Sequence, residues 1–129
     1  MYYLNTSQSL TNSTWNIVKF DTTVSSNSNL SYSSSTGVFT AKASGLYMFT
    51  AFGVPTSTPA SFISFQYNGN SVINNQLPFS ASGTTSYNKY MNVNDTMSVR
   101  IYQSNSQSAE GAASNSTTYC QVQIGIINF

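Results

Sequence analysis

The sequence predicts an all-β fold of about eight to ten short antiparallel strands, the pattern of a β-sandwich or jelly roll. Three observations carry that expectation. Apolar and polar residues alternate with a period of two between turn signals, and helical periodicity is nearly absent. The 9 Tyr and 8 Phe sit inside the alternating runs and not in a tail. A length of 129 residues suits one domain, 1–129, whose first residues, 1–13, read as a short N-terminal arm or stalk junction.

The strands follow in order. Trp15 to Phe20 is the first, Leu30 to Ser33 the second and Val38 to Ala41 the third, separated by Ser33-Ser34-Ser35-Thr36 and Gly37. Leu46 to Val54 is the most apolar, and Pro55 and Pro59 stop it. Phe62 to Tyr67 and Ser71 to Leu77 flank Asn68-Gly69, a strong hairpin signal because both residues tolerate positive φ. Thr85 to Val93 and Met97 to Gln103 flank Asn94-Asp95, which reads as a second hairpin. Thr117 to Phe129 is the last strand.

Alternation sorts the faces. Met97, Val99 and Ile101 share an apolar side opposite Ser98, Arg100 and Tyr102. Cys120, Val122, Ile124 and Ile126 lie together, so Cys120 reads as a small core residue and not as a reactive thiol. In Leu46 to Val54 both sides are apolar. Tyr47, Phe49 and Ala51 form one side, and Leu46, Met48, Phe52 and Val54 form most of the other. A strand apolar on both faces lies between two layers or meets another subunit, and here the second face is a candidate subunit interface, which suggests an oligomer.

Composition narrows the function. Charged residues make up 5% of the chain, against about 25% in ordinary domains. The polar share comes from 24 Ser, 15 Thr and 15 Asn. Four basic residues, scattered at Lys19, Lys42, Lys89 and Arg100, cannot neutralise a phosphate backbone, so no nucleic-acid partner is expected. Histidine is absent, which removes His-dependent nucleophilic catalysis and imidazole metal ligands. Asp21, Asp95 and Glu110 are far apart in sequence, so no carboxylate pair for glycoside hydrolysis is marked. No enzyme activity and no cofactor are expected. Apolar runs are too short for a membrane span, and Met1-Tyr2-Tyr3-Leu4-Asn5 has neither the basic start nor the apolar core of a signal peptide. Any export signal or stalk is expected to lie outside this chain, or delivery uses another route. Five Asn-x-Ser/Thr sequons, at Asn5, Asn12, Asn29, Asn94 and Asn115, match what this composition gives by chance.

From the fourth strand backwards the residues form an aromatic ladder. Asn27 is followed five residues on by Tyr32, seven further by Phe39 and six further by Gly45, which opens Gly45-Leu46-Tyr47-Met48-Phe49. Phe20-Asp21 stands before it, one residue farther out than the pattern wants, and Phe52 stands where Ala51 would align. This ladder resembles the globular head domain of complement C1q, within the C1q/TNF-like jelly-roll superfamily. Met91 through Val99 and Tyr119 through Phe129 resemble that family's later strands, with Asn94 in place of a turn glycine. The resemblance runs from about Trp15 to Phe129.

Phe20, Tyr32, Phe39, Tyr47 and Phe49, with Val99, Ile101, Cys120, Val122 and Ile124, are then expected in the core. Each large side chain there contributes about 1.5–3 kcal/mol on full burial. Gly45 is expected to supply a left-handed turn or a close backbone approach. The resemblance implies a compact homotrimer without catalysis, at an extracellular, virion or particle surface. It would be a viral or phage spike or fibre head, or a similar displayed head, binding a receptor or glycan. Alternatives are a structural capsid, cement or filament-cap subunit, and a secreted C1q-like defence lectin or signalling ligand. Candidate contact loops are Pro55 to Ala60, Phe79 to Ser86 and Gln103 to Ser116, with Thr56, Ser57, Thr58, Ser82, Gly83, Thr84, Glu110 and Asn115 as contact residues. Some relatives bind calcium near the trimer axis, but two Asp and one Glu per chain make a poor cage.

Overall fold

A computed structural model describes residues 1–11, 13–53, 61–72, 77–79, 83–103, 108–109, 111–113 and 119–127. Fourteen strands occur among them: β1 (Tyr2–Tyr3), β2 (Gln8–Ser9), β3 (Thr14–Ile17), β4 (Thr22–Thr23), β5 (Leu30–Ser33), β6 (Val38–Ala41), β7 (Gly45–Gly53), β8 (Ser61–Tyr67), β9 (Asn70–Ser71), β10 (Leu77–Phe79), β11 (Gly83–Met91), β12 (Thr96–Gln103), β13 (Ser108–Ala109) and β14 (Gln121–Ile127). One sheet has five strands in the order β11-β7-β14-β1-β4. The second runs β10-β8-β12-β6-β5, with β3 also on β12 and β9 also on β8, and β2 and β13 form a small ribbon. Every pairing is antiparallel.

The core lies between the two large sheets and follows the alternation of the strands that face it. Tyr47, Phe49 and Ala51 of β7, Ile63 and Phe65 of β8, Met97, Val99 and Ile101 of β12, and Val122 of β14 are all buried. Phe20, Phe39 and Cys120 are buried too, Tyr32 and Ile124 partly so, packed against that cluster. The rings form a connected series. Tyr32 lies 4.4 Å from Phe39, Phe39 6.0 Å from Phe49, and Phe49 6.4 Å from Tyr47 and 6.1 Å from Phe65. Separations in that range are the ones aromatic pairs favour. Burial leaves the phenol oxygens needing partners, and they find backbone carbonyls. Tyr32 donates to Phe20 O at 3.0 Å, and Tyr47 donates to Ala43 O at 2.6 Å and Asn29 O at 2.9 Å.

Three readings change. Residues 1–13 do not project as an arm: β1 lies between β14 and β4, and Tyr2, Leu4 and Leu10 are buried. Two-residue strands leave no periodic signal, which is why the sequence did not show β1. Asn94-Asp95 does not close a hairpin, because β11 and β12 belong to different sheets. The turn crosses the sandwich and is held by Asn94 N donating to Ala41 O and Ala41 N donating to Asp95 O, both at 2.8 Å. Gly45 is no left-handed turn: it opens β7 opposite Met91, buried. The left-handed glycines are Gly37 (φ 74°) and Gly69 (φ 79°). On the polar side of β12, which the sequence leaves unassigned as to cover, Ser98 and Arg100 are buried.

Candidate functional site

Two regions of the sandwich are candidates, one for assembly and one for contact. The first is the outer face of the five-stranded sheet. Side chains directly opposite one another across antiparallel strands share a face. Leu46 lies between Tyr90 of β11 and Ile127 of β14, and Met48 between Asn88 and Gly125. Tyr90 is 49% exposed and Ile127 46%, while Leu46 and Met48 are half-buried. These side chains make an apolar band at one end of the face. Thr50 interrupts it, lying between Ser86 and Gln123 with its hydroxyl 3.3 Å from that of Ser86. Phe52, half-buried, follows beyond. The face is therefore apolar at Leu46 and Met48, polar in the middle, and apolar again at Phe52. Val54 lies outside the described residues.

The second region is the opposite end of the strands. Register alone assembles it. Gly53 pairs with Gly83, and Phe52 with Gln121. In the other sheet Ser61 pairs with both Phe79 and Gln103, and Gln103 pairs with Thr14. The ends from which Pro55–Ala60, the 80–82 connection and the segment after Gln103 depart thus meet at one end of the sandwich. Thr56, Ser57, Thr58, Ser82, Glu110 and Asn115 lie outside the described residues. Gly83 and Thr84, read from the sequence as loop, instead begin β11, because their backbones pair with Gly53 and Phe52.

Both described carboxylates are committed to protein hydrogen bonds. Asp21 accepts from Asn5 N at 2.7 Å, Thr6 N at 3.0 Å and the Thr22 hydroxyl at 3.0 Å. Burial pushes its carboxyl up, but these three donors outweigh that and hold it below the usual range. Asp95 accepts from the Tyr67 hydroxyl, from the Asn92 amide and from the Asn68 side chain. The Tyr67 hydrogen bond leads in holding it low. Groups that point hydrogens at both carboxylates do not suit them to calcium. Among the described residues, no three acids or cysteines cluster as metal ligands. No helix among them is long and apolar enough to cross a membrane.

One charged side chain behaves otherwise. Arg100 is 4% exposed, and its guanidinium carbon lies 4.1 Å from the centre of the Trp15 ring. Burial lowers its affinity for its proton. Its Nε and Nη2 have no hydrogen-bond partner among the described residues. Sequence reading missed this residue as a site, because alternation places Arg100 on the polar side of β12 but is silent on what covers that side.

Comparison with curated proteins returned no significant match. The family model of the C1q domain matches residues 2–118, starting at β1 rather than at Trp15. A non-catalytic recognition domain is what that family supplies, typically in extracellular or secreted proteins. With a sandwich of two antiparallel sheets, the aromatic series at its centre and a match over most of its length, the chain belongs to the C1q domain family.

Proposed function

We propose that this domain is the head of a homotrimer displayed on a virion, particle or cell surface, in the manner of a spike or fibre head. It attaches to a receptor or glycan through the loops at one end of the sandwich. The apolar band of Leu46, Met48, Tyr90 and Ile127 carries the reading. A soluble monomer gains by covering such a band, and three copies related by a rotation axis can do so with one self-compatible surface.

The convergence of strand ends at Gly53, Ser61, Phe79, Gly83, Gln103 and Gln121 supports the second half. In a trimer, three such ends point the same way, and weak single contacts add up through multivalency. A surface dominated by Ser, Thr and Asn offers uncharged donors and acceptors, which suit saccharide hydroxyls.

Light scattering on a sizing column tests the assembly. A mass near three times 14.0 kDa that persists on dilution is expected. A monomer overturns the trimeric head. A glycan array with the intact trimer then tests attachment: no bound glycan and no bound cell surface would leave a purely structural subunit as the better reading.

A further inference from the structure

We propose that Arg100 anchors a binding site for a ring-bearing organic carboxylate on the outer face of the seven-stranded sheet, beside Trp15, Phe62 and Tyr102. The site lies on a sheet face, with Trp15, Tyr102 and Phe62 one residue in from the strand ends at Thr14, Gln103 and Ser61; it is separate from the apolar band and does not depend on trimerisation.

The residues come together through register. On β12, Arg100 lies opposite Ile17 of β3 and Ser64 of β8, and Tyr102 lies opposite Trp15 and Phe62. The rings continue one another: Trp15 is 5.6 Å from Tyr102, and Tyr102 is 6.2 Å from Phe62. Trp15 covers the guanidinium at 4.1 Å. Its π face attracts the cation but provides no acceptor in the guanidinium plane, and Nε and Nη2 find no partner among the described residues.

A buried cation with two unmet donors is rare in a folded chain, because desolvation is then uncompensated. No described carboxylate of the chain is free to meet them. Of its three acidic residues, Asp21 is held by Asn5, Thr6 and Thr22, and Asp95 by Tyr67, Asn68 and Asn92. Glu110 lies outside the described residues.

The geometry of the open donors selects the ligand class. Nε and Nη2 lie on one edge of the guanidinium and donate in parallel, which matches the two oxygens of a carboxylate. One cation also balances one negative charge, whereas a phosphate dianion would be left half-compensated. Next along the same face of β12, the strip of Trp15, Tyr102 and Phe62 offers flat apolar surface for a ring-sized body, and Phe62 is 36% exposed. Sugar acids and aryl acids share this chemistry. Entry requires Trp15 to shift, and its position allows that: β3 has four residues, pairs only with β12, and holds Trp15 half-buried.

The chain contains a single Arg and a single Trp, so both reporters are unambiguous. The intact protein is titrated with glucuronate and with benzoate, following the Arg100 Nε–H resonance and Trp15 emission. Glucose and sulfate are the controls. A saturable response to at least one carboxylate is expected, with a Kd on the order of 1 mM. Glucose should give none, and sulfate should bind at least about tenfold more weakly. The tighter of the two carboxylates identifies the source as sugar acid or aryl acid.

Absence of a saturable response to either carboxylate overturns the site, and so does sulfate binding equally well. Arg100→Lys keeps the charge and loses the paired donors, so it should weaken binding about tenfold or more. Unchanged affinity in that variant also overturns the proposal. If the variant does not fold, the wild-type titration decides alone. The mass measurement and this titration fail separately, so a monomer that binds carboxylate retains the site and loses only the trimeric head.

Discussion

The Tyr67 hydroxyl donates a 2.6 Å hydrogen bond to the Asp95 carboxylate, joining the end of β8 to the turn that crosses between the sheets. Asn68, the next residue, binds the same turn through both side chain and backbone. Its side chain donates from Nδ2 to Asp95 at 3.1 Å and accepts at Oδ1 from Thr96 N at 2.7 Å, and its backbone N donates to Thr96 O at 3.0 Å. Both turns are left-handed at Asn, at Asn68 (φ 49°) and Asn94 (φ 75°). Each conformation is therefore held by contact with the other turn.

Asp95→Asn keeps the shape and removes the charge that accepts from Tyr67, Asn68 and the Asn92 amide. We expect it to destabilise the fold by about 1–2 kcal/mol, toward the lower part of the range for charged hydrogen bonds because the site is partly solvated. Tyr67→Phe should cost about 1 kcal/mol. Urea denaturation of both single variants and the double variant checks this. Fully additive losses would show that the two groups are not coupled.

The pH profile of stability should be flat through neutrality, because the chain has no histidine. Asp21 and Asp95 are held below the ordinary carboxylate value of 3.8. Their contribution is present above that value and disappears as pH falls through the lower folded values. Tyr67 is pushed up from 10.0 to about 12, first by its hydrogen bond to Asp95. Its contribution is complete below pH 10 and fades between 10 and 12. Thermal melts at fixed protein concentration should show a plateau between about pH 5 and 9, with losses on both sides. A step near pH 6.5 would contradict this account.

Two left-handed glycines should respond differently to the same substitution. A Cβ at Gly37 would sit 2.6 Å from Ile17 Cγ2 and 2.6 Å from Val18 O, whereas at Gly69 nothing lies within 4 Å. Gly69→Ala meets only backbone strain and should cost about 1 kcal/mol. Gly37→Ala adds a clash with backbone and should cost about 2–3 kcal/mol. Denaturation midpoints of the two variants decide the order.

Met48→Lys places an ammonium in the apolar band between Asn88 and Gly125. Its Cα lies on a face away from the core, so the monomer should remain folded with an unchanged circular dichroism spectrum. Assembly should weaken at least tenfold, since burying the unpaired charge in a subunit interface is costly. Light scattering across a dilution series measures it. A trimer as stable as the wild type would show that this face is not the interface.

Legibility in the sequence followed strand length. β5 and β6 appear at their expected residues, and β7, β8 and β12 within about one residue, because each has enough alternation to expose its period. The two-residue strands β1, β2, β4, β9 and β13 have too few positions for any period, and only the sandwich around them decides their pairing. Asn68-Gly69 was readable as a hairpin turn since both strands it joins lie in one sheet. Asn94-Asp95 has the same local chemistry, but nothing local tells a return within a sheet from a crossing between sheets. The candidate site was legible in the same measure. Leu46, Met48 and Phe52 stood out as a second apolar face, while Tyr90 and Ile127 joined them only through cross-strand register. Arg100 was invisible for a related reason: burial of an outer face belongs to the whole assembly of strands.

The pairing of Tyr2 with Val122 sets a schedule for synthesis. β1 leaves the ribosome long before β14, one of its two neighbours, because about 120 residues separate them. At about 5–20 residues per second, the N-terminal segment waits on the order of 6–24 seconds for that edge. Until then Tyr2, Leu4 and Leu10 are apolar side chains with an incomplete core to enter. Completion of the five-stranded sheet is therefore a late event that links the two ends of the chain, and the slow, non-local closure exposes the nascent domain to mispairing with its neighbours on the same message.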